Sequence, residues 1–344
     1  MFNKKNYIRM AIILVVVIIL AILNNILGRY QLRILNLAGI YIILGLSLNI
    51  INGFTGLFSL GHAGFMAIGA YTSALLTMSP AQKSVNFFVK PIVPFLANVE
   101  MSFLPALLIG GIVAAIIGAI LAAPILRLKD DYLAIATLGF GEIIRVIFTN
   151  TQSLTNGALG LKGLPSYTNT GYTWGIALVS IMFMFSLRKS SYGKAFMAIR
   201  EDEIAAESMG IDLFKHKLLA FIMGSFFAGV GGALLAHLMG TIDPLMFRFL
   251  MTFNILLIVV LGGIGSISGT VISAIVVTVA MEWLRFLDGP IDLGFMVIHS
   301  VPGMRMVLFS LLLMIVILYY QHGLMGRDEI TLDKIFNKFK KKEA

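Results

Sequence analysis

Apolar stretches of membrane-spanning length follow one another along almost the whole chain, at about 10–27, 34–51, 57–78, 103–126, 132–149, 172–187, 218–238, 249–262, 267–284 and 304–320. A helix rises about 1.5 Å per residue and the hydrocarbon core is about 30 Å thick, so about 20 mainly apolar residues cross it once. Only 12% of the 344 residues are charged, and the mean hydropathy is +0.93. A soluble domain carries about 25% charged residues, so the polar surface needed to coat a globule of this size is missing. In lipid each backbone N–H and C=O must be paired within the chain, which restricts apolar runs of this length to helices. The expected fold is all-α: a polytopic transmembrane helical bundle of about ten spans, some of them broken by glycine.

Charge placement sets the expected orientation. With the N-terminus inside and ten crossings, the inside segments hold 17 of the 26 Lys and Arg residues, the outside segments hold 8, and Arg145 falls within a span. That asymmetry obeys the positive-inside rule and puts both termini in the cytoplasm, an N-in/C-in topology. The net charge of +9 therefore reflects topology, and nucleic acid is not an expected partner. Cysteine is absent and the five histidines are scattered, so neither a disulfide framework nor a metal site is expected. No nucleophile–base pair stands out, so no catalytic residue, cofactor or enzyme activity is expected. The run from Met10 to Leu27 is longer than a signal-peptide core and lacks a small-x-small cleavage site, which favours an uncleaved first span.

Three connections exceed simple turns. Residues 79–102, with Pro80, Pro91 and Pro94, and residues 150–171 should lie outside, and the densely charged 188–217 inside. The organisation expected is a permease domain over 1–325, with 188–217 as its cytoplasmic loop, and a basic tail over 326–344. That tail reads as an amphipathic segment at the bilayer surface, either a topology determinant or a lipid-recognition element.

Two stretches interrupt the apolar pattern with glycine. The first runs from Asn49 through Asn52, Gly53, Thr55, Gly56, Ser59, Gly61, His62 and Gly64. A backbone rich in glycine can break here, and broken backbone at membrane depth survives only when buried in protein or lining a wet cavity. The stretch is thus either a discontinuous helix beside a translocation path or a tight helix crossing built from small residues. His62 by itself reads as a hydrogen-bonded structural histidine or as a substrate contact. The second stretch, Gly262 to Thr270, lies where a structural repeat would place a counterpart, and paired breaks of this kind point to transport sites. It is no phosphate loop, because the Gly-Lys-Ser/Thr ending is missing, and no Walker motif occurs elsewhere. If ATP powers this protein, another chain binds it.

Ionisable residues inside spans are few. Glu142 and Arg145 stand three residues apart on one helix, close enough to pair, and serve either as an internal ion pair or as a functional group on the path. Glu282 and His237 lie near predicted span ends, where reaching the interface suffices. In the inside loop, Asp202 can cap a short helix, the acidic residues around it suit a helix N-terminus, Gly210 can stop the helix with Ile211 behind it, and Asp212 can cap the next span. On that helix Ala205 and Met209 share one side and Ile204 and Ser208 another. Such an element suits a cleft on a cytoplasmic partner, or packs on its own protein.

The pattern Ala205-Ala206-x-x-x-Gly210 in a long inside loop resembles the EAA coupling motif of ABC importer permeases, with Ile204 where Glu is usual and Glu203 one place earlier. Further, Gly53 to Phe65, Asp131 to Arg145 and Ala198 to Glu203 resemble LivM-type permeases of branched-chain amino acid ABC transporters, over about residues 34 to 320. The resemblance implies an ABC importer permease fold, a second related permease, two cytoplasmic ATPase subunits and an extracytoplasmic binding protein delivering Leu, Ile or Val. It implies ATPase coupling through Arg200, Glu201, Asp202, Glu203, Ala205, Ala206 and Gly210, on a helix from Arg200 to Gly210. It also implies a path bordered by Asn52, Gly53, Ser59 and His62, to which Glu142 is the intramembrane candidate. Close relatives carry urea, amides or other amino acids, and an ion-coupled secondary transporter is the alternative class.

Overall fold

The structure, a computed structural model, describes residues 4–128 and 130–285, the pairs 291–292 and 297–298, and a set of residues between 307 and 329. The tenth predicted span, 304–320, falls largely outside the described residues, as does the basic tail apart from Gly326 and Glu329.

Helices dominate. In order they are α1 (Lys4–Ile26), α2 (Arg29–Asn49), α3 (His62–Thr77), α4 (Pro80–Asn86), α5 (Pro94–Ala97), α6 (Phe103–Ile125), α7 (Asp130–Asn150), α8 (Gln152–Thr155), α9 (Thr170–Lys189), α10 (Ser191–Glu201), α11 (Glu203–Ser208), α12 (Leu213–Met239), α13 (Phe249–Gly262) and α14 (Ile267–Trp283). Two-residue strands β1 (Leu161–Lys162) and β2 (Thr241–Ile242) pair antiparallel, as do β3 (Ile291–Asp292) and β4 (Val297–Ile298). Among the described residues, five helical segments are long and apolar enough to cross a membrane: Arg29–Phe54, Phe103–Ile125, Tyr132–Asn150, Thr170–Lys189 and Leu213–Met239. Val17–Ile26, Phe249–Gly262 and Ile267–Trp283 are shorter apolar helices.

The boundaries follow local chemistry. Asn169 starts α9 by accepting from the Tyr172 N–H at 2.9 Å, and Ser190 separates α9 from α10 by accepting from the Gly193 N–H at 3.2 Å. Asp212 opens α12 by accepting from the Lys215 N–H at 3.0 Å, and Gly240, at φ +73°, closes it. Buried hydroxyls on the spans mostly bond back to their own helix, as Thr77 does to Ser73 O at 2.9 Å and Thr278 to Ala274 O at 2.6 Å. That pairs these donors within their own helices, whereas the hydroxyls of Tyr71, Ser73 and Thr173 and the Trp174 indole N–H are buried without a hydrogen-bond partner among the described residues.

Helices α2 and α12 form the centre. About three quarters of each span is buried, 78% and 72%, against 22% for α7. Around α12 pack α2, α3 and α6, with α13 and α14 against α2. No hydrophobic gradient draws helices together in lipid, so close backbone approach carries the packing. A Cβ on Gly69 of α3 would lie 2.1 Å from the Gly229 carbonyl oxygen, and one on Gly232 of α12 would lie 2.1 Å from that of Met66. His237, expected near an interface, is instead fully buried beside Thr77, Phe103 and Tyr167, because the connections at that end of the bundle close over the end of α12.

The connections segregate to two ends of the bundle. At one end, the Asn86 amide exchanges hydrogen bonds with Lys162 at 2.8 and 3.0 Å, Val93 N donates to Ser153 O at 3.1 Å, and β1 pairs with β2. Here the Lys83 ammonium, 1% exposed, donates to the carbonyls of Leu96 and Val99, which pins the loop between α4 and α6. Burial pushes Lys83 below the usual lysine range, and the charge of Glu100 opposes part of that shift. Lys83→Met would strip both carbonyls of their donor. Amide exchange over residues 94–99 should then speed up by about tenfold or more, read by mass spectrometry. Unchanged protection would show that the loop is held by other means.

Candidate functional site

At the other end of the bundle the two glycine interruptions meet. Helix α2 passes into a π turn at Ile50–Phe54, residues 55–61 are non-helical, and α3 starts only at His62. The predicted span 57–78 therefore begins later than expected: Gly56 takes φ +73°, and hydrogen bonds to side chains hold the extended stretch. Asn52 brackets it, its Oδ1 accepting from Ser59 N at 3.2 Å and its Nδ2 donating to Ser59 O at 3.5 Å. Thr137 of α7 accepts from Leu60 N at 3.0 Å, and Thr252 of α13 accepts from Ala63 N at 2.9 Å. The first interruption is thus a discontinuous helix whose freed backbone groups are satisfied from neighbouring helices, as broken backbone in lipid requires.

The second interruption, residues 263–266, separates α13 from α14, with Gly263 at φ +107° and Gly265 at φ +88°. Asn49, at the end of α2, joins the two. Its Oδ1 accepts from Gly265 N at 2.9 Å, and its Nδ2 donates to Ser266 O and to Thr270 Oγ1, both at 3.0 Å. A Cβ on Gly53 would lie 2.6 Å from Gly265 N, so the two breaks touch through backbone. Glu329 caps α14 from the far end of the chain, its carboxylate accepting from Ile267 N at 2.7 Å and Ser268 N at 3.0 Å and pairing with Arg188. Leu324 N donates to Leu261 O at 2.7 Å, so the same segment also binds the exposed carbonyls at the end of α13.

His62 is fully buried, with Nε2 2.7 Å from Ser47 Oγ. Ser47 spends its own proton on Leu44 O at 2.7 Å, so the network assigns the His62 proton to Nε2, which donates to Ser47. Its Nδ1 and the Ser59 hydroxyl are buried without a hydrogen-bond partner among the described residues.

The loop over 188–217 differs from the single helix expected between Arg200 and Gly210. Asp202 adopts extended backbone, φ −159° and ψ 112°, and splits the segment into α10 and α11, which puts Arg200 and Glu201 on α10. The reason is the cap itself: Asp202 Oδ1 accepts from Ala205 N at 3.0 Å, and an N-cap residue cannot also be helical. At the other end Gly210 takes φ +84°, and Ile211 N donates to Ala206 O at 3.1 Å. Glu203 pairs with Lys217 of α12 at 2.6 Å, which anchors α11 to the bundle.

Burial sorts the rest of the loop. Ala206 is 4% exposed and faces its own protein, whereas Ile204 and Met209 are 79% and 84% exposed with Ala205 and Ser208 beside them. Ala206 therefore positions the helix, and the outward face belongs to Ile204 and Met209. Arg200 points the other way. Its Nη1 donates to Gly53 O at 2.8 Å, its Nη2 donates to Glu201 at 2.7 Å, and a Cβ on Gly265 would come within 2.5 Å of Nη1. One guanidinium thus touches both breaks, and α11 follows it directly. Glu142 stands apart from this cluster on α7, paired with Arg145 at 2.6 Å. Asn49, Thr137, Thr252 and Glu329 were not singled out by sequence; Asn49 alone carried a signal, as the polar residue that opens the first break.

Comparison with known proteins agrees with this architecture. The model of the branched-chain amino acid transport system / permease component family matches residues 30–318. The high-affinity branched-chain amino acid transport system permease protein LivM of Escherichia coli (strain K12) is 35% identical over 292 residues, 75% of this chain and 64% of that protein. The chain thus spans a little under two thirds of that relative's length. The probable branched-chain amino acid transport permease protein LivM of Methanocaldococcus jannaschii is 24% identical over 322 residues, 85% of this chain and 92% of that protein. A LivH permease of Salmonella typhimurium is 25% identical over 313 residues, 86% of this chain and 94% of that protein. No solved structure matches. A family match over 30–318 takes in both glycine breaks and the capped helix α11, and the chain belongs to the permease component family of branched-chain amino acid transport systems.

Proposed function

We propose that this chain is the membrane-spanning permease subunit of an ABC importer for Leu, Ile and Val in a bacterial cytoplasmic membrane. It works beside a second, related permease, two cytoplasmic ATPase subunits and an extracytoplasmic binding protein. The chain crosses the bilayer about ten times with both termini inside, a reading supported by the segregation of connections to two ends and by the positive-inside pattern. The observation that carries the proposal is the pairing of α11 with Arg200. A short, capped helix displays Ile204 and Met209 outward while the guanidinium just before it grips the carbonyl of Gly53. An outward apolar face on a charged loop suits a cleft on an ATPase, and the grip suits transfer of its motion to the broken helices. The names of the relatives supply the substrate class.

The test is leucine uptake into proteoliposomes holding the chain, its partner permease and ATPases, with binding protein outside and ATP inside. Uptake should require ATP. The double change Ile204→Asp with Met209→Asp should reduce both uptake and ATPase association by about tenfold or more, since it charges the apolar face. Uptake without ATPases, or driven by an ion gradient, would overturn the importer reading.

A further inference from the structure

Helix α7 carries an ion pair where a lipid-facing helix tolerates none. It is the least buried of the five spanning segments, and its open face shows Ile135, Ile143 and Val146 together with Glu142 and Arg145. Both charges remain partly exposed, 35% for the Glu142 side chain and 22% for Arg145. Glu142 lies roughly 18 Å along the helix from Asp130, well inside the hydrocarbon depth. A charge facing lipid at such depth is costly, so this face is met by protein or by water.

The way the two side chains pair leaves them open to a third party. Arg145 reaches Glu142 Oε2 through Nε, at 2.6 Å, and among the described residues its terminal nitrogens have no hydrogen-bond partner. Those nitrogens form the planar edge that receives a carboxylate. Glu142 Oε1 likewise has no partner among the described residues, which leaves an acceptor for an ammonium group. Next to Glu142 lies a small recess bordered by Leu60, Leu138, Phe247, Phe249 and Thr252, where the first break and α13 meet α7. The start of α3 in that recess is not an anion site, because Thr252 already takes the Ala63 N–H.

We propose that Glu142 and Arg145 together bind the zwitterionic head of an aliphatic amino acid on the translocation path, Arg145 receiving the carboxylate and Glu142 the ammonium. An internal pair with each charge half-satisfied can open toward a zwitterion without leaving a net charge in the membrane, because the ligand brings one of each sign. This inference rests on the importer reading and names the substrate chemistry of its path.

The experiment is equilibrium binding of radiolabelled leucine to the whole purified complex without binding protein. Leucinamide, which lacks the carboxylate, and 4-methylpentanoate, which lacks the ammonium, serve as competitors. Wild type should prefer leucine to either by about tenfold or more. Arg145→Gln should erase the preference over leucinamide, and Glu142→Gln the preference over 4-methylpentanoate. Assembly, followed by size-exclusion chromatography, should be retained. Unchanged selectivity in both variants, or wild type that binds no leucine, would overturn the site. Loss of assembly that the reversed pair, Glu142→Arg with Arg145→Glu, restores without restoring selectivity would also overturn it and assign the pair to the permease interface. ATP-dependent leucine uptake in wild type separates these failures from failure of the importer reading.

Discussion

A Gly69→Val chain is expected to give no monodisperse protein when expressed with its partners and followed by fluorescence-detected size-exclusion chromatography. Gly69 meets Gly229 where α3 crosses α12, and an added Cβ would lie 2.1 Å from the Gly229 carbonyl oxygen and 2.3 Å from its Cα. Both atoms belong to the backbone of α12, one of the two central helices, so no rotamer change relieves the overlap. The helices must separate, and the crossing through Gly110 of α6 and Gly232 of α12 separates with them. Overpacking of a well-filled core costs about 1–3 kcal/mol when side chains can yield; here the backbone must move, and the cost should exceed about 4 kcal/mol. Gly69→Ala should fall between Val and wild type. Gly175→Ala on α9 is the control, because nothing lies within 4 Å of its added Cβ, and yield should stay level or rise. A well-behaved Gly69→Val protein would mean that α3 and α12 do not cross this closely.

That crossing shows where sequence reading ends. Glycine spacing is visible in sequence, but two explanations fit the stretch from Asn49 to Gly64, and the structure uses glycine in both ways in and just beyond it. Gly56 bends a broken backbone at φ +73°, and Gly69 lets two helices touch. Composition cannot distinguish these uses, because either demands only the absence of a Cβ. Helices α13 and α14 were legible almost to the residue, since Gly263 to Ser266 interrupts an otherwise apolar run. The caps at Asp202, Gly210 and Asp212 were legible too, because a cap depends on neighbours a few residues away. The split of the loop at Asp202 follows from the same cap, since the residue that accepts from Ala205 N leaves the helical conformation. Contacts between Asn49 and Gly265, Thr252 and Ala63, or Glu329 and Ile267 join residues far apart in sequence, and no local pattern announces them.

Arg200→Ala should separate ATP hydrolysis from transport. On the proposed reading, the ATPases meet Ile204 and Met209 on α11, and the variant leaves that surface and its Asp202 cap intact. Hydrolysis by the assembled complex should stay within about twofold of wild type. What disappears is the inner contact: the donor to Gly53 O and the side chain lying against Gly56 and Gly265. Motion of α11 then reaches α10 without the guanidinium that ties α10 to both breaks. Leucine uptake should fall by about tenfold or more, equivalent to about 1.4 kcal/mol of lost coupling. Lysine at this position keeps the charge but replaces a planar fork with a point charge, so Arg200→Lys should recover only part of the loss. Uptake and hydrolysis measured on the same proteoliposomes give the ratio directly. A parallel fall in both would place Arg200 in the docking surface itself. A ratio equal to wild type would show that the breaks move without it, which would leave Asn49, bonded to Gly265, Ser266 and Thr270, as the remaining polar link between them.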